Sequence, residues 1–319
     1  MTMRMQSERV FSILTRRHLR MIPEVVLAWL AWCVIPLLPR RCILGLARCG
    51  GALGWRLARR ERRVSDANLD VVYGDALSRR EKDSICRRSF QTFSLTLLDL
   101  FWFSRFTASR YKRYVVIDDQ MRKALQQKPL IGVTGHFGNW ESLSLMYGME
   151  GKPMTAVAMP LKNPFVDKML SRLRSRSGSI AVAREGAVRS LLRTLRAGGV
   201  VGLLLDQNTR PREGGIFVPF LGLPVTVSNA AGLLACKTHV PLVVAAGFAD
   251  DKGVYRFRVS DVFSPEGLEP EAITRKVTQE LEALVRAQPE CWLWSYKRWR
   301  FYRQEDDARV FPFYANRLK

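Results

Sequence analysis

The spacing of apolar positions changes along this chain near Pro129. Before that point, from about Leu44 to Phe103, apolar residues recur at intervals of three and four, as in Phe90–Leu100. This spacing predicts amphipathic helices. The stretch Leu77-Ser-Arg-Arg-Glu-Lys-Asp predicts a capped start for one of them. We interpret residues 1–125 as a helical N-terminal region and residues 126–319 as a separate core.

From Pro129 onward, short apolar runs alternate with helical patterns. Such alternation predicts an α/β fold, with a largely parallel sheet covered on both faces. The predicted strands are Leu130–Val133, Met154–Ala158, Val200–Leu205, Pro241–Ala246 and Tyr255–Val259. The predicted helices are Asn139–Tyr147, Pro164–Ser175, Ala187–Ala197, Asn229–Thr238 and 271–287.

The segment 22–38 is apolar except for Glu24, and Pro23 and Pro36 interrupt it. A helix needs about 20 residues to cross a bilayer, so this segment lies at the lower limit. Arginines flank it on both sides, and a spanning orientation would leave one set on the disfavoured side. We favour a helix that lies in the cytoplasmic leaflet or re-enters it. A single span and a buried core helix stay open as alternatives.

The net charge of the chain limits the classes of binding partner that we expect. The chain has 51 Lys and Arg against 29 Asp and Glu, a formal net charge of +22. No zinc-finger, RNA-recognition or basic-zipper signature accompanies this excess, so we do not expect a nucleic acid partner. Anionic membrane lipid, a phosphorylated substrate or an acidic carrier protein fits better. Six cysteines without a paired CxxC spacing and only three histidines do not indicate a metal centre.

The chemistry-bearing motif is Thr134-Gly-His-Phe-Gly-Asn-Trp-Glu141, placed between a predicted strand and a predicted helix. Ligands collect at such junctions in open α/β sheets. Asn139 is a good N-cap, which puts Glu141 in the first helical turn. We expect the Glu141 carboxylate to bond one ring nitrogen of His136, leaving the other to accept a proton from a hydroxyl. The alternative is a turn histidine beside a surface glutamate.

Further candidates flank this motif. Arg184 follows a strand-like run, where it could bind a phosphate or the developing oxyanion. The alternative is a solvated arginine. Asp206 and Gln207 end a strand at the same edge of the sheet, where a site role competes with loop capping. Phe217 and Phe220 suit an apolar lip for an acyl chain or a core turn.

The aromatic and basic tail from Trp292 to Trp299 suits a membrane interface or C-terminal packing equally. Glu290, just before it, is a candidate partner for a site arginine.

In this context the sequence resembles the lipid A biosynthesis lauroyl and myristoyl acyltransferases, within the wider His-x4-Asp/Glu acyltransferases. The resemblance covers most of the chain. Its motifs are Asn68-Leu69, Gly135–Glu141, Arg184-Glu-Gly, Gly199–Gln207, Gly215–Gly222 with Thr226, and Pro289–Trp299. The family usually has Gln and His where this chain has Cys291 and Tyr296, which bears on the acceptor more than on the reaction.

The resemblance implies an enzyme with a three-layer α/β/α fold of the glycerolipid acyltransferase type. It implies that His136 and Glu141 form the catalytic pair and that no metal or cofactor is needed. The substrate-contact candidates are Asn139, Arg184, Asp206, Gln207, Phe217, Phe220, Thr226 and Glu290.

The implied donor is an acyl carrier protein thioester, and the implied acceptor is a lipid A precursor at the cytoplasmic face of a bacterial inner membrane. Another glycolipid or an aminolipid acceptor, an acyl-CoA donor, and a catalytically silent lipid-binding protein remain alternatives.

Overall fold

The computed structural model describes residues 22–175, 179–183 and 186–318. Its N-terminal part is helical, as predicted, and all of it precedes the first strand. The helices are α1 (22–34), α2 (Arg40–Leu57), α3 (Arg59–Tyr73), α4 (Arg79–Trp102), α5 (Thr107–Tyr114) and α6 (Asp119–Gln126).

The start of α4 shows why this segment is helical. The Ser78 side chain accepts from the backbone N–H of Glu81, and the Glu81 carboxylate accepts from the backbone N–H of Ser78. This reciprocal capping box satisfies two backbone donors that a helix otherwise leaves unpaired. The capped start predicted at Leu77–Asp83 is confirmed.

The central sheet has six strands, which are β1 (Leu130–Thr134), β2 (Met154–Ala158), β3 (Ile180–Ala183), β4 (Val200–Leu204), β7 (Leu242–Ala249) and β8 (Tyr255–Val259). Their order in the sheet is β3-β2-β4-β1-β7-β8. The first five are joined by parallel pairings, and β8 is antiparallel to β7. The predicted α/β class with a parallel-dominated sheet is therefore confirmed.

The remaining elements connect or follow these strands. The helices are α7 (Trp140–Met149), α8 (Pro164–Ser175), α9 (Ala187–Arg196), α10 (Ala230–Thr238) and α11 (Pro270–Ala287). Two small ribbons complete the fold: antiparallel β5 (Gly215–Phe220) with β6 (Leu223–Ser228), and parallel β9 (Phe301–Tyr302) with β10 (Asn316–Arg317). The β5–β6 ribbon was not predicted as strands.

Side chains from one strand enter two different hydrophobic cores. On β1, Ile131 and Val133 join one core, whereas Leu130 joins the other. The N-terminal helices contribute to both, with Leu69 in the first and Ile43 in the second. The helical region therefore packs into the same hydrophobic interior as the sheet, and the predicted division at residue 126 stays a prediction.

Helix α1 and one face of α2 leave large apolar side chains exposed. Those of α1 and the turn after it are Ile22, Val26, Leu27, Trp29, Leu30, Val34 and Leu37, and those of α2 are Leu46, Leu53 and Leu57. Of the helices in the described part of the chain, none has both the length and the hydropathy to cross a membrane.

The C-terminal tail packs inside the protein. Trp292, Trp294 and Trp299 are all buried, and their rings contact one another edge to face around Trp292. Of the two interpretations of this tail, C-terminal packing is confirmed, and its tryptophans are not available to a membrane interface.

Candidate active site

The register of the sheet brings two loops together. Thr134 at the end of β1 lies opposite Leu204 at the end of β4, and the two strands are parallel neighbours. Each strand is followed two residues later by a polar side chain, His136 and Asp206. Because the carboxyl ends of parallel strands meet at one edge of the sheet, these side chains become partners although 70 residues separate them.

His136 is held by Asp206 through its ring and its backbone. Ring Nδ1 lies 2.8 Å from Asp206 Oδ1, and the backbone N–H donates to Oδ2 at 2.7 Å. The indole N–H of Trp292 donates to the same Oδ2 at 3.1 Å. Three hydrogen bonds therefore fix a carboxylate whose side chain is only 6% exposed. A carboxylate on Nδ1 selects the tautomer in which Nε2 is the free base.

Two glycines of the motif are required by this geometry. A Cβ on Gly135 would lie 3.0 Å from Asp206 Cγ, so a side chain there would press on the carboxylate. Gly138 has a φ of +57°, and a Cβ on it would lie 2.2 Å from the carbonyl oxygen of Gly247. Glycine alone fits both the conformation and the space at residue 138.

His136 and Asp206 each stabilise the charged form of the other. Burial lowers the pKa of His136. The charge and the hydrogen bond of the Asp206 carboxylate raise it, and the charge of Glu141 adds to this effect, so the net result is a raised pKa. Burial raises the pKa of Asp206, but the charge of His136, its hydrogen bonds and the charge of Arg298 together lower it. The arrangement stabilises an imidazolium beside a carboxylate, the state that follows proton uptake at Nε2.

Glu141 lies in the first turn of α7 and pairs with α8. Its two carboxylate oxygens accept from Arg174: Nε lies 3.1 Å from each oxygen, and Nη2 lies 2.6 Å from Oε1. Among the described residues, the carboxylate on the His136 ring is thus Asp206, and the expectation that Glu141 makes this bond is wrong. The physical reason is that the first turn of α7 directs Glu141 toward α8, where a two-pronged guanidinium faces it.

Asn139 acts as the N-cap of α7, as the sequence suggested. Its Oδ1 accepts from the backbone N–H of Ser142 at 3.1 Å, and its Nδ2 donates to the hydroxyl of Tyr255 at 2.6 Å. The side chain is only 4% exposed. This cap fixes the start of the helix that carries Glu141.

A cavity of about 670 Å³ opens in front of this histidine. Its polar lining includes His136, Glu141, Arg174 and Gln207, and the Gln207 side-chain amide lies 3.4 Å from His136 Nε2. The rest of the wall is mainly apolar and includes residues of β2, β4 and α9. This size and this mix of apolar wall and polar groups are typical of a ligand site.

A buried cation lies behind Asp206. Arg298 is 1% exposed, its Nη1 donates to the carbonyl of Thr226 at 3.1 Å, and its guanidinium stands 5.1 Å from the ring centre of Phe220. Burial lowers the pKa of Arg298 to about 10, against the opposing charge of Asp206. Thr226 therefore anchors this cation through its backbone, and its side chain lies 3.4 Å from Asn208.

Several predicted contacts lie elsewhere. Phe220 is buried against Trp292 with ring centres 5.5 Å apart, so the apolar-lip expectation is wrong for it and the core-turn alternative holds. Phe217 is half-buried and lies under Arg303. Glu290 faces Arg88 of α4 at 3.9 Å, an exposed arginine outside the cavity. Arg184 lies outside the described residues.

Sequence reasoning missed Arg174 as a site residue and did not connect Trp292 to Asp206. Both are long-range contacts: 33 residues separate Arg174 from Glu141, and 86 separate Trp292 from Asp206. The signal that the sequence did offer concerns Asp206, which follows a predicted strand just as His136 does.

Comparison with known proteins places this site in a family. Residues 14–301 match the sequence profile of the bacterial lipid A biosynthesis acyltransferases. A lipid A biosynthesis acyltransferase of Haemophilus influenzae is 23% identical over 181 residues, which span 56% of each chain. The match thus covers little more than half of that relative. Lipid A biosynthesis acyltransferase 2 of Shigella flexneri is 21% identical over 277 residues, 84% of this chain and 86% of the relative.

The profile spans the histidine loop, the cavity and the buried tryptophan that holds Asp206. It confirms the resemblance drawn from the motifs and, with it, the enzyme class. The chain belongs to the bacterial lipid A biosynthesis acyltransferase family.

Proposed function

We propose that this protein moves a fatty acyl chain from an acyl carrier protein thioester to a hydroxyl of a lipid A precursor. The observation that carries the proposal is the pairing of His136 Nδ1 with buried Asp206, beside a cavity of about 670 Å³ with a mainly apolar wall that His136 lines. A base in the wall of a mainly apolar cavity suits the reaction of a hydroxyl with a fatty acyl thioester.

The proton follows a short path in this scheme. His136 Nε2 takes the proton of the acceptor hydroxyl as its oxygen attacks the thioester carbonyl. The tetrahedral intermediate then collapses, the C–S bond breaks, and the imidazolium returns the proton to the leaving thiolate. General-base catalysis of this kind contributes about 10²- to 10⁴-fold in rate. The scheme uses no metal and no prosthetic group.

We keep Glu141 in the catalytic machinery, in a different role from the one expected. Its charge contributes to the raised pKa of His136, and its two oxygens hold Arg174 at the cavity wall. A guanidinium fixed in this way is a preorganised donor for the oxyanion that forms when the carbonyl is attacked. Glu141 thus acts on the transition state through Arg174 and through its charge.

The acyl chain is assigned to the apolar part of the cavity. Gly132 and Gly202 lie side by side on β1 and β4, and Met154 of β2 covers Gly202 closely enough that a Cβ there would lie 2.2 Å from its sulfur. Met154 therefore fills the space over Gly202, and the acyl chain is placed against Met154 and the other apolar side chains of the cavity wall. Each methylene buried there contributes roughly 0.8 kcal/mol.

We also propose that the protein lies on the cytoplasmic face of the bacterial inner membrane. The exposed apolar side chains of α1 and α2 form a face that water does not favour, and the net charge of +22 favours anionic lipid. The six-stranded sheet between two hydrophobic cores suits the three-layer fold of the glycerolipid acyltransferases, to which we assign it.

Incubation of the purified protein with radiolabelled acyl carrier protein thioester and a panel of lipid acceptors tests this function. We expect acyl gain on a lipid A precursor, resolved by mass, and no gain with His136→Ala or Glu141→Ala at unchanged secondary structure. His239→Ala is the matched control, since this exposed histidine ends α10 and does not line the cavity.

The other outcomes of this assay each lead to a different conclusion. Gain on a different glycolipid or an aminolipid would keep the chemistry and change the acceptor. Transfer from acyl-CoA alone would change the donor. No gain on any lipid, from folded protein and active donor, would indicate a silent lipid-binding protein.

A further inference from the structure

A second concavity of about 440 Å³ lies beside the catalytic cavity and is lined by arginines. One wall is the loop after β4, and the other is the C-terminal segment around β9 and β10. The arginines are Arg210, Arg212, Arg300 and Arg317. We call this concavity the arginine groove.

Two of these guanidiniums are held in place by one ring. Phe301 is 8% exposed, and the guanidinium carbons of Arg210 and Arg300 stand 5.2 and 5.3 Å from its ring centre. A buried aromatic face stabilises a cation and fixes its position. Arg210 and Arg300 are therefore oriented before any ligand binds.

The other wall is fixed by the ribbon of β9 and β10. The backbone N–H of Asn316 donates to the carbonyl of Arg300 at 2.9 Å, and that of Leu318 donates to the carbonyl of Tyr302 at 2.9 Å. These bonds tie the backbone of Arg317 to that of Arg300, 17 residues earlier in the chain. The convergence of the arginines is thus built by the fold.

In the described part of the chain, the groove has no acidic residue in its lining, and none of its arginines forms an ion pair. Nearby arginines differ: Arg303 pairs with Asp306 and Arg309 with Asp307. Converging like charges repel one another unless an anion joins them. The arginines of the groove therefore offer their positive charges to an anionic ligand.

The loop after β4 connects this groove to the catalytic cavity. Gln207, Asn208 and Thr209 line the cavity, and the next three residues, Arg210 to Arg212, line the groove. An anion in the groove therefore lies a few residues along the chain from the group that faces His136. A substrate with a reacting group in the cavity and a phosphate nearby would occupy both.

We propose that the arginine groove binds a phosphate group of a substrate. Planar guanidiniums match phosphate oxygens with paired hydrogen bonds, and their arrangement at two walls suits a tetrahedral anion between them. The phosphate belongs either to the sugar head group of the lipid acceptor or to the pantetheine arm of the donor. This choice of substrate rests on the proposed acyl transfer, whereas the anion site itself does not.

Binding of inorganic pyrophosphate, measured by calorimetry at fixed ionic strength, tests the site without any assay of activity. We expect saturable binding that Arg300→Gln with Arg317→Gln weakens by about tenfold or more. The control is Arg275→Gln with Arg309→Gln, which removes the same charge from exposed positions outside the groove. Equal weakening in both double variants, or in neither, would overturn the proposal.

Steady-state kinetics then identify the source of the phosphate. We expect KM to rise about tenfold with kcat little changed, either for a phosphorylated acceptor but not its dephosphorylated form, or for both acyl carrier protein and acyl-CoA donors. A rise for the carrier protein donor alone would indicate carboxylates of the carrier and overturn the phosphate assignment. Pyrophosphate binding lost in the groove variant of a protein that transfers no acyl chain would contradict the proposed function and keep the site.

Discussion

Asp206→Asn is expected to lower the rate of acyl transfer by roughly 10²- to 10⁴-fold while the protein stays folded. Oδ2 of Asp206 accepts from the backbone of His136 and from Trp292, so the oxygen of an asparagine amide is expected to take that place. The amide NH2 then faces Nδ1 and donates to it. The ring is driven to carry its proton on Nε2, where it no longer accepts one from a hydroxyl.

Single-turnover transfer measured with bound donor and acceptor gives this rate without product release. Asp251→Asn, at an exposed turn before β8, is the matched control and should leave the rate unchanged. A rate for Asp206→Asn within about threefold of the wild type, beside lost transfer in Glu141→Gln, would instead indicate that Glu141 governs the base.

Arg40→Met is expected to destabilise the protein by about 3–5 kcal/mol, because it leaves a buried carboxylate without its cation. The side chains of Arg40 and Asp99 are 3% and 1% exposed. Arg40 also donates to the carbonyl of Gly253, and the hydroxyl of Tyr255 donates to Asp99. This cluster joins α2, α4 and the β7–β8 turn.

Denaturant unfolding in detergent, followed by tryptophan fluorescence, measures this loss. Arg41→Met is the control, since the neighbouring arginine is exposed and should change the free energy of unfolding by less than about 0.5 kcal/mol. Arg40→Met with Asp99→Leu should recover part of the loss, because it removes the buried charge left behind. Equal stability of Arg40→Met and Arg41→Met would contradict this account of the cluster.

The same cluster reaches the active site. Tyr255 receives a hydrogen bond from Asn139, the N-cap of the helix that carries Glu141, and donates to Asp99. Helix α2, at the proposed membrane face, is thereby connected to the start of α7 through buried polar contacts. A weakened cluster is therefore expected to affect the position of Glu141 as well as stability.

The sheet and most helices could be predicted because their signals are local. The strand Met154–Ala158 and the helix Pro164–Ser175 begin and end where the apolar pattern and its flanks change. The β5–β6 ribbon was missed because Pro219 and Pro224, which lie opposite each other in it, argue against strands. A two-stranded ribbon has free edges on both sides and tolerates prolines that a central strand does not.

The candidate site was predictable in part for the same reason. His136 and the N-cap Asn139 lie within one motif, and their placement between strand and helix follows from local patterns. The bond between His136 and Asp206 depends on β4 being the neighbour of β1. The order of strands in a sheet cannot be predicted from a short stretch of sequence. The spacing of His136 and Glu141 suggested a hydrogen-bonded pair, whereas in the structure the Glu141 carboxylate accepts hydrogen bonds from Arg174 of the next helix.

The most direct test of His136 as the base is the protonation of its ring, read by 15N NMR of histidine-labelled protein. The chain has only three histidines, and His136→Gln identifies the signal of residue 136. We expect a neutral ring with its proton on Nδ1, bonded to Asp206, and a pKa above the ordinary histidine value, so that the base is lost as pH falls through that pKa. A neutral ring with its proton on Nε2, unchanged by Asp206→Asn, would contradict this expectation.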